Sequence, residues 1–193
     1  SDLLGLKVPK DYVIKNISEF SCDNIDTVII GHIGEYMKIK NEREKIEGMI
    51  EKCYNKANFH FLDPVRNEDR VFSPLIGRDL IPPNIYGMLY YISTPVLGVY
   101  GTSSKQGKFT LQLILRNEFM KKGYKVGQLG TEPEALLFGF DAVYPMGYNS
   151  SVQIAGNDAV LYLNRVLHEI EMKKEIDIII TGSQSGTVPY SCN

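Results

Sequence analysis

The chain has 193 residues, is 44% hydrophobic and 23% charged, and carries a formal net charge of −2. These fractions are ordinary for a globular protein, and the near-neutral balance removes the electrostatic case for a nucleic-acid or anionic-membrane partner. No apolar run is long enough to form a transmembrane helix, and no signal-peptide pattern opens the sequence. Three widely separated cysteines, Cys22, Cys53 and Cys192, offer neither a metal spacing nor an even disulfide set. They are expected as buried or incidental thiols, which points to a reducing, cytoplasmic compartment.

In chain order, Asp11-Tyr12-Val13-Ile14 is a candidate short strand, and the β-branched run at residues 25–31 is a clear one closed by glycine. Asn41 is expected to cap the next helix, with Glu44 in capping-box spacing. Ile46, Met49, Ile50 and Cys53 then form its apolar face. Phe59-His60-Phe61-Leu62 is a second strand, stopped by Asp63-Pro64, and strand–helix–strand implies a parallel crossover. Residues 1–75 therefore form a first α/β unit. Five prolines between Pro64 and Pro95 and a charged cluster from Arg66 to Arg70 mark a connecting region. The linker proper is placed at 76–94, with a short helix near Tyr86 to Tyr91.

The second unit, residues 95–193, opens on a strand at 96–100. Its helix is expected to bury Leu111, Ile114, Leu115 and Phe119 and to stop at Gly123. A strand follows at 124–130, and then a long aromatic-rich loop from Thr131 to Ser151, of a length that is usually functional. Asn157 caps a helix carrying Val160, Leu163, Leu167 and Ile170. A buried-type strand at 177–181 then runs into a small polar loop, Gly182-Ser183-Gln184-Ser185-Gly186. No helix covers that last strand, so a truncated chain or a completing partner is expected. The edge beside residues 178–180 would then pair with a second copy, making a homo-oligomer.

Between the strand at 96–100 and its helix lies Gly101-Thr102-Ser103-Ser104-Lys105-Gln106-Gly107-Lys108-Phe109-Thr110. Strand, glycine-bounded polar loop and helix start are what a phosphate-binding loop requires. Glycines let backbone N–H groups curl toward an anion, and the helix N-terminus and Lys108 add positive charge. The strict G-x-x-x-x-G-K-[S/T] pattern is not met. The loop is one residue longer, and Phe109 stands where the hydroxyl is expected. Thr110 lies one position on, about 100° round the helix. A triphosphatase also needs Mg²⁺, and Glu132 and Glu134 are the available carboxylates. His32 is placed where it could edge a site in the first unit, His60 is expected on the opposite sheet face from Phe59 and Phe61, and His168 on a helix, but their spacing supports no His/Asp/Ser or His/Cys constellation. Gly31-His32-Ile33-Gly34 lacks a third glycine and an immediate helix, which makes a nicotinamide cofactor the least favoured reading.

Gly101-Thr102, four residues, Gly107-Lys108, a non-hydroxyl residue and Thr110 resemble the phosphate loop of a bacterial and archaeal family of unknown function. That family is often labelled NAD-dependent epimerase/dehydratase. The resemblance implies a Rossmann-like N-terminal domain and a C-terminal P-loop domain akin to dethiobiotin synthetase. It implies that Phe109 followed by Thr110 is the family's own pattern, with Thr110 as the metal-side hydroxyl. Residues 131–139 are similar to a family loop. Thr181-Gly182-Ser183-Gln184-Ser185, with Pro189 behind, resembles a degenerate form of the family's Glu-Gly-Gln-Gly-Ser…Pro segment. The family's glutamate falls on Thr181, which counts against magnesium binding and hydrolysis. Some similar sequences belong to a clostridial peptide-maturation system, and others are linked to N-acylation of D-amino acids.

The expected protein is thus α/β, with a Rossmann-like and a P-loop NTPase-like unit. It would bind ATP (or GTP) with Mg²⁺ through residues 101–110, with Lys108 catalytic and Thr110 and Glu132 on the metal. Phosphoryl transfer would activate a carboxylate or amine of a small molecule or peptide. The alternative is a non-catalytic nucleotide-sensing scaffold.

Overall fold

The computed structural model describes residues 20–65, 68–83, 87–103, 105–147, 150–173 and 175–184. The candidate strand at Asp11–Ile14, and Arg66, Tyr86, Ser104, Tyr148, Ser185, Gly186, Pro189 and Cys192, lie outside them. The architecture is α/β with two wholly parallel sheets, one of three strands and one of four.

The first sheet has the order β1 (Thr27–Ile30), β2 (Asn58–Phe61), β3 (Val71–Phe72). Helix α1 (Lys40–Cys53) connects β1 to β2. Strand alternation sends Val28, Ile30, Phe59 and Phe61 to one face, where they pack with Cys22, Cys53 and Ala57. Met49 and Ile50 of α1 pack against this cluster. Complete burial of a side chain such as Phe59 stabilises by about 1.5–3 kcal/mol. His60 lies half-buried between them on the other face, its ring tilted against that of Phe72 with centroids 4.8 Å apart. Burial lowers its pKa.

Asn41 does not cap α1. The helix starts at Lys40 after Ile39, with no side-chain cap. A preceding 3-10 turn, Tyr36–Lys38, feeds the chain straight into the helix, and the Ile39 carbonyl accepts the Arg43 N–H. The cysteines also differ from expectation. Cys22 and Cys53 are joined by a disulfide, their Cα atoms 5.5 Å apart. The pairing is set by the fold, which lays the chain before β1 against the last turn of α1. The compartment argument drawn from unpaired thiols therefore loses its basis.

The second sheet has the order β4 (Val96–Val99), β7 (Ile178–Gly182), β5 (Val126–Gly130), β6 (Ala142–Val143). Strand β7, expected at an edge, is interior. It pairs with β4 on one side and β5 on the other, and Ile179 and Ile180 are fully buried. Helix α3 (Asn157–Lys173) covers one face through Tyr162, Val166 and Ile170. Among the described residues, no helix is long and apolar enough to cross a membrane.

Helix α2 (Lys108–Lys121) is rotated from the expected orientation. Leu111 and Ile114 are about half exposed, and Gln112 is its buried residue. The inward stripe is Phe109, Gln112, Leu113 and Arg116, which satisfies the same helical spacing. Phe109 sets the rotation by packing 5.5 Å from both Phe138 and Phe140. Arg116 locks it with hydrogen bonds to the Phe138 and Gly139 carbonyls.

Two connections are more ordered than the sequence implies. The stretch from Thr131 to Ser151 contains a 3-10 turn, Pro133–Phe138, and strand β6, and it buries Phe140 and Tyr144. The expected linker places Ile76 in the larger core, with Leu80 and Ile81 against it. Ile76 also bridges Val152. The helix expected near residues 86–91 is absent from the described residues 87–91. So short a segment cannot repay helix nucleation. Its backbone is satisfied instead by Asn164, which accepts from the Tyr90 N–H and donates to the Tyr90 carbonyl.

The entry to β4 hangs on one carboxylate. Glu171 Oε1 accepts the N–H and hydroxyl of both Ser93 and Thr94. These bonds, led by the Ser93 hydroxyl, hold its pKa down to about 2. The folded-state value lies below the unfolded one, so this stabilisation is complete above the ordinary glutamate range and is lost as pH falls toward 2. The thermal midpoint should therefore fall more steeply between pH 5 and pH 2 in the wild type than in Glu171→Gln. Parallel curves would refute the assignment. The disulfide closes a separation of 31 residues, which by chain entropy is worth about 3–4 kcal/mol. Denaturant unfolding of Cys53→Ser should show a loss of that order. An unchanged midpoint would contradict it.

Candidate functional site

In an open parallel sheet, ligands gather beyond the carboxyl ends of the strands. In the larger sheet three segments meet there: the 100–107 loop after β4, Thr131 to Glu134 after β5, and Thr181 to Gln184 at the end of β7. Register places Thr181 between Gly98 of β4 and Leu129 of β5, and the Ser183 N–H donates to the Val99 carbonyl.

The loop turns directly into α2. Gly107 takes φ +82°, a left-handed conformation that glycine adopts without strain, and its carbonyl accepts the Leu111 N–H. Lys105 also has positive φ, at +59°. Lys108, at the first helical position, folds back over the loop, and its Nζ donates to the Ser103 carbonyl at 2.9 Å. That path runs close over Gly101, where a Cβ would lie about 3.0 Å from the Lys108 stem. Gln106 Oε1 lies within the loop and accepts the Thr102 hydroxyl and the Ser103 N–H, both at 3.2 Å. The loop thus already turns two donors toward one oxygen.

Not every residue of the string faces this space. Phe109 turns away to pack on Phe138 and Phe140, leaving only its backbone at the helix start. Thr110 is exposed on the first turn of α2. Ser104 lies outside the described residues.

Glu132 stands beside the loop. Its carboxyl accepts from Gln184 Nε2 at 3.2 Å, while the same amide donates to the Thr131 carbonyl at 2.6 Å. Burial pushes the Glu132 pKa up, against the lowering hydrogen bond from Gln184; the charge of Glu134 raises it further, and Lys108 and His32 oppose. Glu134 Oε2 is buried without a hydrogen-bond partner among the described residues. A cation would satisfy it. No group of three or more acidic, histidine or cysteine side chains suited to a metal forms among the described residues. Magnesium, however, needs only one or two carboxylates beside phosphate oxygens and water. Thr181 offers only a hydroxyl, 3.4 Å from the neighbouring Gly182 carbonyl.

The smaller sheet contributes a second constellation. His32 follows β1 and Asp63 follows β2, so both lie at carboxyl ends of adjacent parallel strands. His32 Nδ1 and Asp63 Oδ1 are 2.7 Å apart. Asp63 Oδ2 accepts the Ile33 and Gly34 N–H groups at 2.7 and 2.9 Å. Burial raises the Asp63 pKa, but the hydrogen bonds from His32, Ile33 and Gly34 together outweigh it, and the net value is lowered. Asp63 reads in sequence as strand punctuation before proline. The available signal was its place after β2, opposite His32 after β1. Gln184, the other contributor missed as a positioning group, reads as part of a generic polar turn.

A larger hollow, about 690 Å³, opens at the opposite end of the larger sheet, between Arg116, Lys125, Val126 and Glu175. It lies at the amino end of β5, away from the converging loops. No family model, curated protein or solved structure matches this chain.

Because Gln184 opposes the effect of burial on Glu132, Gln184→Leu should raise the Glu132 carboxyl pKa further. Carbon-13 NMR titration of the carboxyl would show this. An unshifted or lowered midpoint would mean that the amide does not hold this carboxylate.

Proposed function

We propose that this protein binds a nucleoside triphosphate, ATP or GTP, with Mg²⁺ at the 101–108 loop, and transfers its terminal phosphoryl group to a second substrate. The observation that carries this reading is the return of Lys108 over Gly101 onto the Ser103 carbonyl at the entry to α2. A lysine held there by a backbone carbonyl can exchange that partner for phosphate oxygens. The Gln106 oxygen that gathers Thr102 and Ser103 is replaceable in the same way. The α2 N-terminus adds its unpaired N–H groups and dipole.

In this reading Thr110 and Glu132 hold the metal, with the orphaned Glu134 oxygen behind them. Magnesium, when bound, supplies neutralisation of the developing phosphate charge. Lys108 and the loop N–H groups orient the phosphates and stabilise charge as it spreads. The stretch after Glu132 selects the second substrate, a carboxylate or amine of a small molecule or peptide. The Rossmann-like and P-loop assignments, the dethiobiotin-synthetase-like family with its peptide-maturation branch, a cytoplasmic setting and a homo-oligomer all belong to this proposal.

Thr181 favours a second reading, in which nucleotide binding orders the loops for a partner without turnover. The strand beside the loop ends there in a hydroxyl rather than an acid. The nicotinamide reading stays last, because the Ile33 and Gly34 N–H groups that would face a pyrophosphate are taken up by Asp63.

Calorimetry with ATP and Mg²⁺ tests the proposal. Wild type should bind, and Lys108→Ala should bind about 10- to 100-fold more weakly, as expected for loss of one charged hydrogen bond. No binding to wild type, or equal binding to both, would sink it.

A further inference from the structure

We propose that His32 and Asp63 form a general-base dyad serving the same site, with His32 the catalytic residue and Asp63 its positioning residue. The proposal rests on the nucleotide reading and narrows its acceptor, of the carboxylate and the amine, to the one that carries a proton, the amine. A carboxylate acceptor has no proton to lose and needs no such base.

The hydrogen bonds define the tautomer. Asp63 accepts three of them, from His32 and from the Ile33 and Gly34 N–H groups. An ionised carboxylate only accepts, so His32 must donate through Nδ1–H. In the neutral ring this leaves the lone pair on Nε2, which makes no hydrogen bond among the described residues. Asp63 is buried, while the His32 side chain is 41% exposed. The orienting group is thus shielded and the reactive nitrogen reachable, the arrangement a base needs.

The surroundings connect the dyad to the loop. A hollow of about 300 Å³ lies against Asp63, lined by Gly34, Glu35, Lys38, Pro64 and Ser150. Ser150 follows β6 in the connection that leaves β5, so the same connection supplies Glu132 beside the loop and Ser150 to the hollow against Asp63. That segment is tied to the chain after β3, where the Ser151 hydroxyl donates to the Pro74 carbonyl. Lys108 and His32 both act on the Glu132 carboxyl, against the effect of its burial. Among the described residues, the ionisable groups to weigh with His32 are Asp63, Glu35 and Lys38 at the hollow, and Glu132, on which Lys108 also acts.

The step balances without a further reactant. The acceptor X–H attacks the terminal phosphorus and an X–P bond forms. The bond from that phosphorus to the bridging oxygen breaks, and its electron pair leaves with the nucleoside diphosphate. The proton on X passes to His32 Nε2 and then to solvent.

Two measurements on the full chain test this. Nitrogen-15 NMR of the imidazole should find His32 neutral with its proton on Nδ1, and Asp63→Asn should lose that preference. Phosphate release from Mg·ATP, with water as the simplest proton-bearing acceptor, should fall about 10²- to 10⁴-fold in His32→Gln. ATP affinity by calorimetry should stay within about twofold. The wild-type rate is expected to decline toward acid pH, and His32→Gln should lose that decline. A His32→Gln protein with wild-type turnover and pH profile overturns the base role, as does an Nε2-protonated ring in the wild type. A wild type that binds ATP but releases no phosphate overturns the base role and leaves nucleotide binding standing. A wild type that does not bind ATP overturns both.

Discussion

The larger unit depends on the backbone ladders along both sides of β7. This strand, late in the chain, inserts between β4 and β5, and its register with each brings Thr181 level with Gly98 and Leu129. Without that insertion, β4 with its loop and β5 with Glu132 would not share a common edge. Ile179 and Ile180 seal the insertion from both faces, and each is inaccessible to solvent. Gln184 then extends the arrangement beyond the last ladder bond, clamping the Thr131 carbonyl and the Glu132 carboxyl. A strand end, rather than any single side chain, is the organising device of this face.

Around that edge the protein spends polar groups where an ordinary core would place hydrocarbon. Gln112 and Gln128 are buried between α2 and the sheet, with Gln128 Nε2 donating to the Gln112 carbonyl. Both amide oxygens are without partners among the described residues. Buried polar groups left partly unsatisfied carry a cost. Here Gln112 sits on the helix that starts at the loop and Gln128 on β5, and Gln112 lies directly over Gly182 at the end of β7. Phe109 and Arg116 anchor the same helix to the segment around Phe138 to Phe140.

Much of the local order was legible in the chain. Strands β1, β2, β4, β5 and β7 were each foreseeable from short β-branched or apolar runs, and α1 from Ile46, Met49, Ile50 and Cys53. The loop at 101–108 was visible as a glycine-bounded string between strand and helix. Strand β6 was not, because two residues, Ala142 and Val143, carry no periodic signal. The orientation of α2 was ambiguous because two helical stripes satisfy the same spacing. Of the expected stripe Leu111 and Ile114 are about half exposed while Leu115 and Phe119 stay half-buried, and Phe109 turns the other stripe inward against Phe138 and Phe140.

The sequence by itself determined most of the longer segments, their type and approximate ends, and the strand–loop–helix unit built around Lys108. Tertiary structure decided their partners. It placed β7 inside the sheet rather than at its rim, joined Cys22 to Cys53, and set Asp63 against His32 across 31 positions. The physical reason is range. Periodicity and turn chemistry act over one or two turns of chain, whereas a ladder, a disulfide or a histidine–carboxylate pair forms between residues whose proximity exists only once parallel strands have aligned their carboxyl ends.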